Sequence, residues 1–197
     1  YNTYGFFCLY ANLDDFDYSE ADTPLEKRPE IDRWILSELH SLIAKVDASY
    51  GDYEPTRAAR AISEFVQEYL SNWFVRLSRR RFWKGEYGPD KIAAYQTLYE
   101  CLISVSKLAA PIAPFFMDRL YQDLVQNTST SIHLTDFPIV NLENINLSLE
   151  DQMNKARTIT SLALSLRKKE QIRVRQPLQK MIIPVKNTTE RKQIEGI

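Results

Sequence analysis

One stretch of this chain decides its fold: Asn72-Trp73-Phe74-Val75-Arg76-Leu77-Ser78-Arg79-Arg80-Arg81-Phe82-Trp83-Lys84. It holds four arginines, one lysine, two tryptophans and two phenylalanines, and no acidic residue lies between its first arginine and its last lysine. Uncompensated positive charge attracts a polyanion, and flat aromatic rings offer surfaces on which bases can stack. The stretch therefore indicates the end of a helix that faces a nucleic acid.

The stretch closes a long helical pattern from Thr56 to Phe82. On a helical wheel with about 100° per residue, one stripe joins Ile62, Phe65, Tyr69, Trp73, Arg76, Arg80 and Trp83. The first half of the stripe is typical of a core, and arginines replace the aliphatic residues towards its end. The wheel predicts that Arg76 and Arg80 lie on the aromatic stripe. It predicts that Arg79 and Arg81 are the more solvent-facing pair.

Two interpretations of these arginines stay open. In the structural one, they complement the negative end of the helix dipole and pair with acids in residues 14–26. In the functional one, they contact an anionic ligand. We favour the functional interpretation for the cluster as a whole, because one helix dipole does not call for so many bases.

A second basic stretch lies between residues 163 and 180, where six bases accompany one acid, Glu170. After Gln171, bases alternate with apolar residues in Ile172-Arg173-Val174-Arg175. This pattern indicates either a solvated helix end or an edge that contacts phosphates. Residues 1–30 hold seven acids and two bases. The formal net charge of −1 therefore conceals local basic surfaces.

The composition disfavours several classes of protein. Five glycines in 197 residues argue against an all-β fold and a glycine-rich phosphate loop. Cys8 and Cys101 are far apart and have no histidine–cysteine cluster around them, so we predict no metal site and a reducing, cytoplasmic setting. We expect neither a signal peptide nor a membrane-spanning segment, because this sequence has no apolar run long enough to cross a bilayer. We interpret His40 and His133 as structural or surface residues, and we predict no catalytic residue, because no nucleophile or acid–base pair stands out.

The apolar spacing predicts a mainly α fold, namely an antiparallel helical bundle with a small C-terminal α/β extension. The predicted helices cover residues 30–50, 56–82, 89–109, 115–125 and about 148–170, and Thr188 opens a final helical turn. Two short segments, 131–138 and 181–185, are predicted to be strands. We divide the chain into a bundle at 1–127, a linker with a short strand at 128–147, and a long helix with the start of an α/β subdomain at 148–197.

The start of the chain is apolar almost all round over residues 1–11, which predicts a buried helix. It carries no N-cap, start methionine or leader. We therefore expect the natural protein to continue upstream.

Several segments, taken in chain order, resemble isoleucyl-tRNA synthetases. Asn2-Thr3-Tyr4-Gly5-Phe6-Phe7 through Tyr10-Ala11-Asn12, with Pro29-Glu30-Ile31-Asp32-Arg33-Trp34-Ile35-Leu36-Ser37, resembles the segment that follows that family's catalytic domain. The stretch 72–83 resembles the hallmark of its anticodon-binding helical bundle. Three further segments also resemble parts of that family. Its helix break resembles Ala109-Ala110-Pro111-Ile112-Ala113-Pro114-Phe115, and its short strand after the bundle resembles His133-Leu134-Thr135-Asp136-Phe137-Pro138. The basic stretch that opens its C-terminal region resembles Arg173-Val174-Arg175-Gln176-Pro177-Leu178. Valyl-, leucyl- and methionyl-tRNA synthetases share the bundle, but the tyrosine-rich start and the Ser-Arg-Arg-Arg-Phe-Trp string favour isoleucine.

The resemblance implies that this chain is the anticodon-binding domain of an isoleucine–tRNA ligase and recognises the anticodon stem-loop of an isoleucine-accepting tRNA. The catalytic and editing domains of the same parent chain would be its other partners. ATP and Mg would belong to the parent catalytic domain, because both catalytic signatures are absent here. The implied RNA contacts are Arg76, Arg79, Arg80, Arg81 and Lys84 to phosphates, Trp83 as a stacking surface, and Arg167, Lys168, Arg173 and Arg175 along the backbone of the stem or loop.

One alternative from another functional class is a helical protein–protein interaction module. Its basic ridge would bind an acidic partner protein rather than RNA. Salt-dependent binding to tRNA but not to duplex DNA would separate the two hypotheses.

Overall fold

The structure, a computed structural model, describes residues 1–84, 86–125 and 130–195. The chain separates into two compact units, Tyr1–Ile145 and Asn146–Ile197, which we describe one at a time. The division of the chain at residues 127 and 147 stays a prediction, and residue 127 lies outside the described residues.

The first unit is a helical bundle, so the prediction of a mainly α fold is confirmed. Its α-helices are α1 Asn2–Leu13, α2 Glu30–Gly51, α3 Pro55–Glu64, α4 Arg76–Trp83, α5 Pro89–Ala109 and α6 Pro114–Val125. A π-helix, Phe65–Val75, joins α3 to α4 in one continuous rod. Short 3₁₀ turns lie at Leu25–Lys27, Ile132–Leu134 and Leu142–Asn144. Helix α2 packs against the rod and α5, and α5 packs against α6.

The sequence explains where these helices begin and what they bury. Pro55 and Pro89 occupy the first turns of α3 and α5, where a missing N–H costs nothing. The core contains large side chains from α2, the π-helix, α4 and α5, and burial of one such side chain gains roughly 1.5–3 kcal/mol. The largest fully buried side chains include Trp34, Ile35 and Leu39 of α2, Leu70 and Phe74 of the π-helix, and Tyr95, Leu98 and Leu108 of α5.

Helix α1 is buried on one face only, so the prediction of a fully buried helix is wrong. Thr3, Phe7 and Ala11 are buried at a spacing of four, whereas Leu13 is 74% exposed. The connector that follows α1 is fastened to α5, because Asp14 pairs with Lys91 at 2.6 Å.

The second unit contains α7 Leu147–Lys169 and α8 Thr188–Glu195. The N-cap of α7 is Asn146, whose side chain accepts the N–H of Leu149 at 3.1 Å. The helix predicted to begin at about residue 148 therefore begins at Leu147. The helical turn predicted at Thr188 is confirmed.

Neither predicted strand forms among the described residues, so these two predictions, and with them the α/β character of the C-terminal extension, are wrong. Within 131–138, N–H groups that a strand would need donate to side chains or to carbonyl groups of the 3₁₀ turn. Asp118 accepts the N–H of Ile132 at 2.8 Å, and Ser131 accepts that of His133 at 3.3 Å. Residues 181–185 are irregular, and a strand needs a neighbouring strand to pair with.

Candidate nucleic-acid interface

The π-helix changes the direction in which the basic run points. A π-helix bonds residue i to residue i+5, so its side chains repeat at a longer interval than on an α-helix. Phe65, Leu70 and Val75 are buried at intervals of five. Further along, Ser78 and Phe82 are buried, each two residues after a position that the α-helical wheel placed on the stripe. The arginines are therefore rotated relative to that wheel.

The prediction of the solvent-facing pair is half wrong for this reason. Arg79 is exposed, as predicted, but Arg76 and Arg80 are exposed as well. The side chain of Arg81 is only 15% exposed. Within the part of the chain that the structure describes, Arg76, Arg79 and Arg80 form no ion pair.

Arg81 is held by two carboxylates from neighbouring helices. Its Nη1 and Nη2 donate to the two oxygens of Asp32 at 2.5 and 2.8 Å. Its Nε donates to Asp90 Oδ2 at 3.0 Å, and Nη2 also donates to the Asp90 carbonyl oxygen at 2.9 Å. Asp32 is fully buried, and burial raises the pKa of its carboxyl group while the hydrogen bonds from Arg81 oppose that increase.

The sequence did not identify Asp32 or Asp90 as partners of the basic run. A signal for Asp32 was present, because it begins the same stripe of α2 as the buried residues Ile35 and Leu39, at spacings of three and seven. An acid in an apolar stripe needs a buried cation. Asp90 carries no such signal, because its side chain is 60% exposed.

The acids of residues 14–26 do not neutralise the exposed arginines. Asp14 binds Lys91 and accepts the Tyr95 hydroxyl at 2.6 Å. Glu20 accepts a hydrogen bond from Tyr87, and Asp22 accepts one from Tyr18 at 3.1 Å. Because these carboxylates have other partners, the charge of Arg76, Arg79 and Arg80 stays available for a ligand.

Trp83 and Lys84 extend the exposed end of α4. Trp83 is 57% exposed, and Lys84 Nζ lies 5.9 Å from the centroid of its ring. Arg80 and Lys84 line an open groove of about 410 Å³, whose lining also includes Glu86, Pro89 and Asp90. An exposed indole next to free cations is a surface on which an unpaired base can stack.

In the second unit, too, some basic residues are exposed and one is held by hydrogen bonds within the protein. Lys168, Arg173 and Arg175 are exposed. Arg167 instead donates through Nη1 to the carbonyl oxygens of Arg173 and Gln176 at 2.9 and 2.8 Å. Arg167 thus holds the turn after α7, and the other three side chains project from or beside that turn.

The remaining chemical groups add no reactive centre to this description. Burial raises the pKa of the Cys8 thiol and of the Cys101 thiol, which keeps both protonated at neutral pH. Among residues 1–84, 86–125 and 130–195, no three His, Cys, Asp or Glu side chains are arranged to hold a metal ion. No described helix combines the length and the hydropathy needed to cross a membrane.

Comparison with known proteins identifies relatives of the whole chain. The family model of the anticodon-binding domain of tRNA ligase matches residues 32–182. The chain is 55% identical, over all of its length, to an isoleucine–tRNA ligase of Bacteroides thetaiotaomicron, and it covers 17% of that relative. It is also 55% identical to the enzyme of Cytophaga hutchinsonii, of which it covers 18%. The corresponding values for the enzyme of Thermus thermophilus are 42% and 19%. The chain therefore spans less than a fifth of the length of these relatives.

Proposed function

Because this chain belongs to the family of anticodon-binding domains of tRNA ligases, we propose that it binds the anticodon stem-loop of a tRNA with the exposed end of α4. The observation that carries this proposal is the group formed by Arg76, Arg79 and Arg80, which are exposed and form no ion pair among the described residues. Phosphates of the RNA backbone supply the missing negative charge.

Trp83 and Lys84 give this surface a second mode of binding. Bases in a single-stranded loop can turn outwards and stack on an aromatic ring or an arginine plane. In our proposal, the half-exposed indole of Trp83 receives such a base, and Lys84 contacts the adjoining phosphate. This combination favours a loop over a duplex, in which the bases are already stacked.

The second unit contributes separate backbone contacts in the same proposal. Lys168, Arg173 and Arg175 are exposed and lie next to the turn that Arg167 holds. Side chains of this kind position a nucleic acid without reading its sequence. Arg167 acts on the RNA through the shape of the turn.

The finer identity of the partner and of the whole protein is also part of the proposal. The relatives are named isoleucine–tRNA ligases, and we propose that the tRNA accepts isoleucine and that the whole protein is such a ligase. Its catalytic and editing domains would be the other partners, and its ATP and Mg would be held there rather than by this chain. Docking energy gained here would then support catalysis at a distant site. The free thiols of Cys8 and Cys101 support a reducing, cytoplasmic setting.

The test is a titration of the 197-residue chain with an isoleucine-accepting tRNA transcript and with a DNA duplex at several salt concentrations. We expect tRNA to bind more tightly than the duplex. Replacing Arg79 and Arg80 with Gln should lower the slope of log affinity against log salt by about two units, roughly one for each phosphate contact that is lost.

The matched control replaces Arg57 and Arg60 with Gln. Both arginines are exposed on α3, and their replacement removes the same amount of charge. Arg60 and Arg80 are 20 residues apart along the rod, so several helical turns separate them. Equal effects of the two double replacements would contradict the assignment to the end of α4. Binding of an acidic protein but not of tRNA would favour the interaction module.

A further inference from the structure

The hydrogen bonds of Arg81 distinguish it from the other basic residues between Arg76 and Lys84. All three nitrogens of its guanidinium donate hydrogen bonds, at distances from 2.5 to 3.0 Å, to Asp32 and Asp90. These two acids lie in the first turns of α2 and α5. Arg81 itself lies in the last turn of α4. One side chain therefore joins the ends of three helices.

A guanidinium held in this way cannot turn towards a phosphate without breaking its ion pairs. Asp32 has no exposed surface, so loss of Arg81 would leave an unpaired buried charge, which proteins avoid. The bidentate geometry also fixes the orientation of the arginine plane. Arg81 consequently fixes the rotation of the last turn of α4 about its own axis.

That rotation determines where the adjacent bases point. Arg80 and Arg81 are consecutive, so on an α-helix their side chains diverge by about 100°. While Arg81 faces Asp32, Arg80 faces solvent, and Lys84 is one turn further along on the same side as Arg80. Both residues line the open groove described above.

We propose that Arg81 is a positioning residue for RNA binding, which acts by holding Arg80, Trp83 and Lys84 in place through its ion pairs with Asp32 and Asp90. This inference rests on the proposed function, and it reassigns Arg81 from contacting the RNA to supporting the residues that do so. Asp32 is then a positioning residue as well, although it carries the same sign of charge as the RNA.

The decisive experiment exploits that sign. Asp32→Asn removes a negative charge, so simple electrostatic attraction predicts equal or tighter binding of tRNA by the 197-residue chain. A positioning role predicts weaker binding, by about tenfold, since the loss of a network of this kind changes an equilibrium constant by roughly twofold to 150-fold. Arg81→Gln should weaken binding by a similar factor. The double replacement should lose no more than the worse single one, because both changes break the same contact.

The matched control is Arg76→Gln, alone and combined with Asp32→Asn. Arg76 is not one of the residues that Arg81 holds in place, so these two losses should multiply. Circular dichroism and melting curves would show that binding is measured on folded protein. Asp90→Asn, at the more exposed partner, is the milder variant if Asp32→Asn fails to fold. It should weaken binding about twofold to fivefold.

Unchanged or tighter binding by the folded Asp32→Asn or Asp90→Asn variant would overturn the positioning role, as would fully multiplicative losses for Asp32 and Arg81. Either result leaves the proposed function intact, provided that the unsubstituted chain binds tRNA. Absence of tRNA binding by the unsubstituted chain would overturn both proposals together.

Discussion

Three helices end on a residue whose backbone adopts the left-handed conformation without being glycine. Asp15, Tyr53 and Gln171 have φ values of 53°, 59° and 55° and follow α1, α2 and α7. In each case the next N–H returns to a carbonyl group of the last turn, as when Glu54 donates to Ser49 at 2.8 Å. The left-handed conformation costs a residue with a Cβ roughly 1–2 kcal/mol.

Replacing Tyr53 with Gly should therefore stabilise the protein. The Tyr53 side chain is 92% exposed, so little packing is lost with it. Glycine relieves the strain but makes the unfolded chain more flexible, and we expect a net gain of about 0.5–1 kcal/mol in the free energy of unfolding. Urea titration measures this gain. Tyr53→Ala keeps the strained backbone and should give none, so equal gains from both replacements would show that strain is not the cause.

Single residues also show how far the site could be predicted. The sequence identified the cluster of Arg76, Arg79, Arg80 and Arg81, because residue type and local density are local properties. It did not show that Arg81 is used internally, because its partner Asp32 is 49 residues away along the chain. Ion pairs across such distances depend on tertiary packing, and spacing alone does not reveal them.

At the scale of elements, the helices were largely predictable and their internal geometry was not. Proline, glycine and the apolar spacing placed α5 at 89–109, where the structure also has it. The π-helix over Phe65–Val75 left no signal that the wheel could use, since the wheel assumes a constant angle per residue. The strand predictions were wrong because the formation of a strand depends on packing and pairing with a neighbouring strand as much as on the residues of the segment itself.

The turn Leu142–Asn144 is attached to α2 through His40, and this attachment should depend on pH. His40 Nδ1 accepts the N–H of Asn141 at 3.2 Å, and Nε2 lies 3.0 Å from the Asn144 amide. Burial lowers the pKa of His40. A protonated Nδ1 cannot accept a hydrogen bond, so the folded protein favours neutral imidazole.

The sign follows from linkage. The unfolded chain takes up a proton near the ordinary pKa of about 6.5, before the folded chain does. The stability that this difference gives is complete above that pH and is lost as the pH falls towards the lower folded pKa. We expect the free energy of unfolding to fall less between pH 7 and pH 5 for His40→Gln than for the unsubstituted chain. His133→Gln, at the exposed histidine, is the control; an equal change in both variants would contradict the role of His40.

The whole molecule concentrates its core in the first unit. Within the described residues, every buried apolar side chain except Leu149 and Ala156 belongs to Tyr1–Ile145. In the second unit, Leu162, Leu166 and Ile182 are 60%, 61% and 79% exposed. Cooperative stability should therefore reside in the first unit.

A chain that ends at residue 145 should fold by itself and melt within about 2–4 °C of the full chain, which corresponds to roughly 1 kcal/mol. Ending it at residue 125 should lower the melting temperature by more, because buried Ile132 and the partners of His40 are then lost. Thermal melting followed by circular dichroism compares the two. A shorter chain that melts as high as the longer one would show that residues 130–145 contribute no stability.

The placement of the tryptophans has an optical consequence. Trp34 is fully buried, whereas Trp83 is 57% exposed at the end of α4. Indole emission depends on contact with water. The emission of Trp34 therefore reports whether the core is intact, and that of Trp83 reports binding at the surface. Iodide, which reaches only accessible rings, would quench Trp83 selectively, and a stacked base would shield it. Of the three tryptophans, Trp73 is half-buried, Trp34 serves as the reporter of unfolding and Trp83 as the reporter of occupancy.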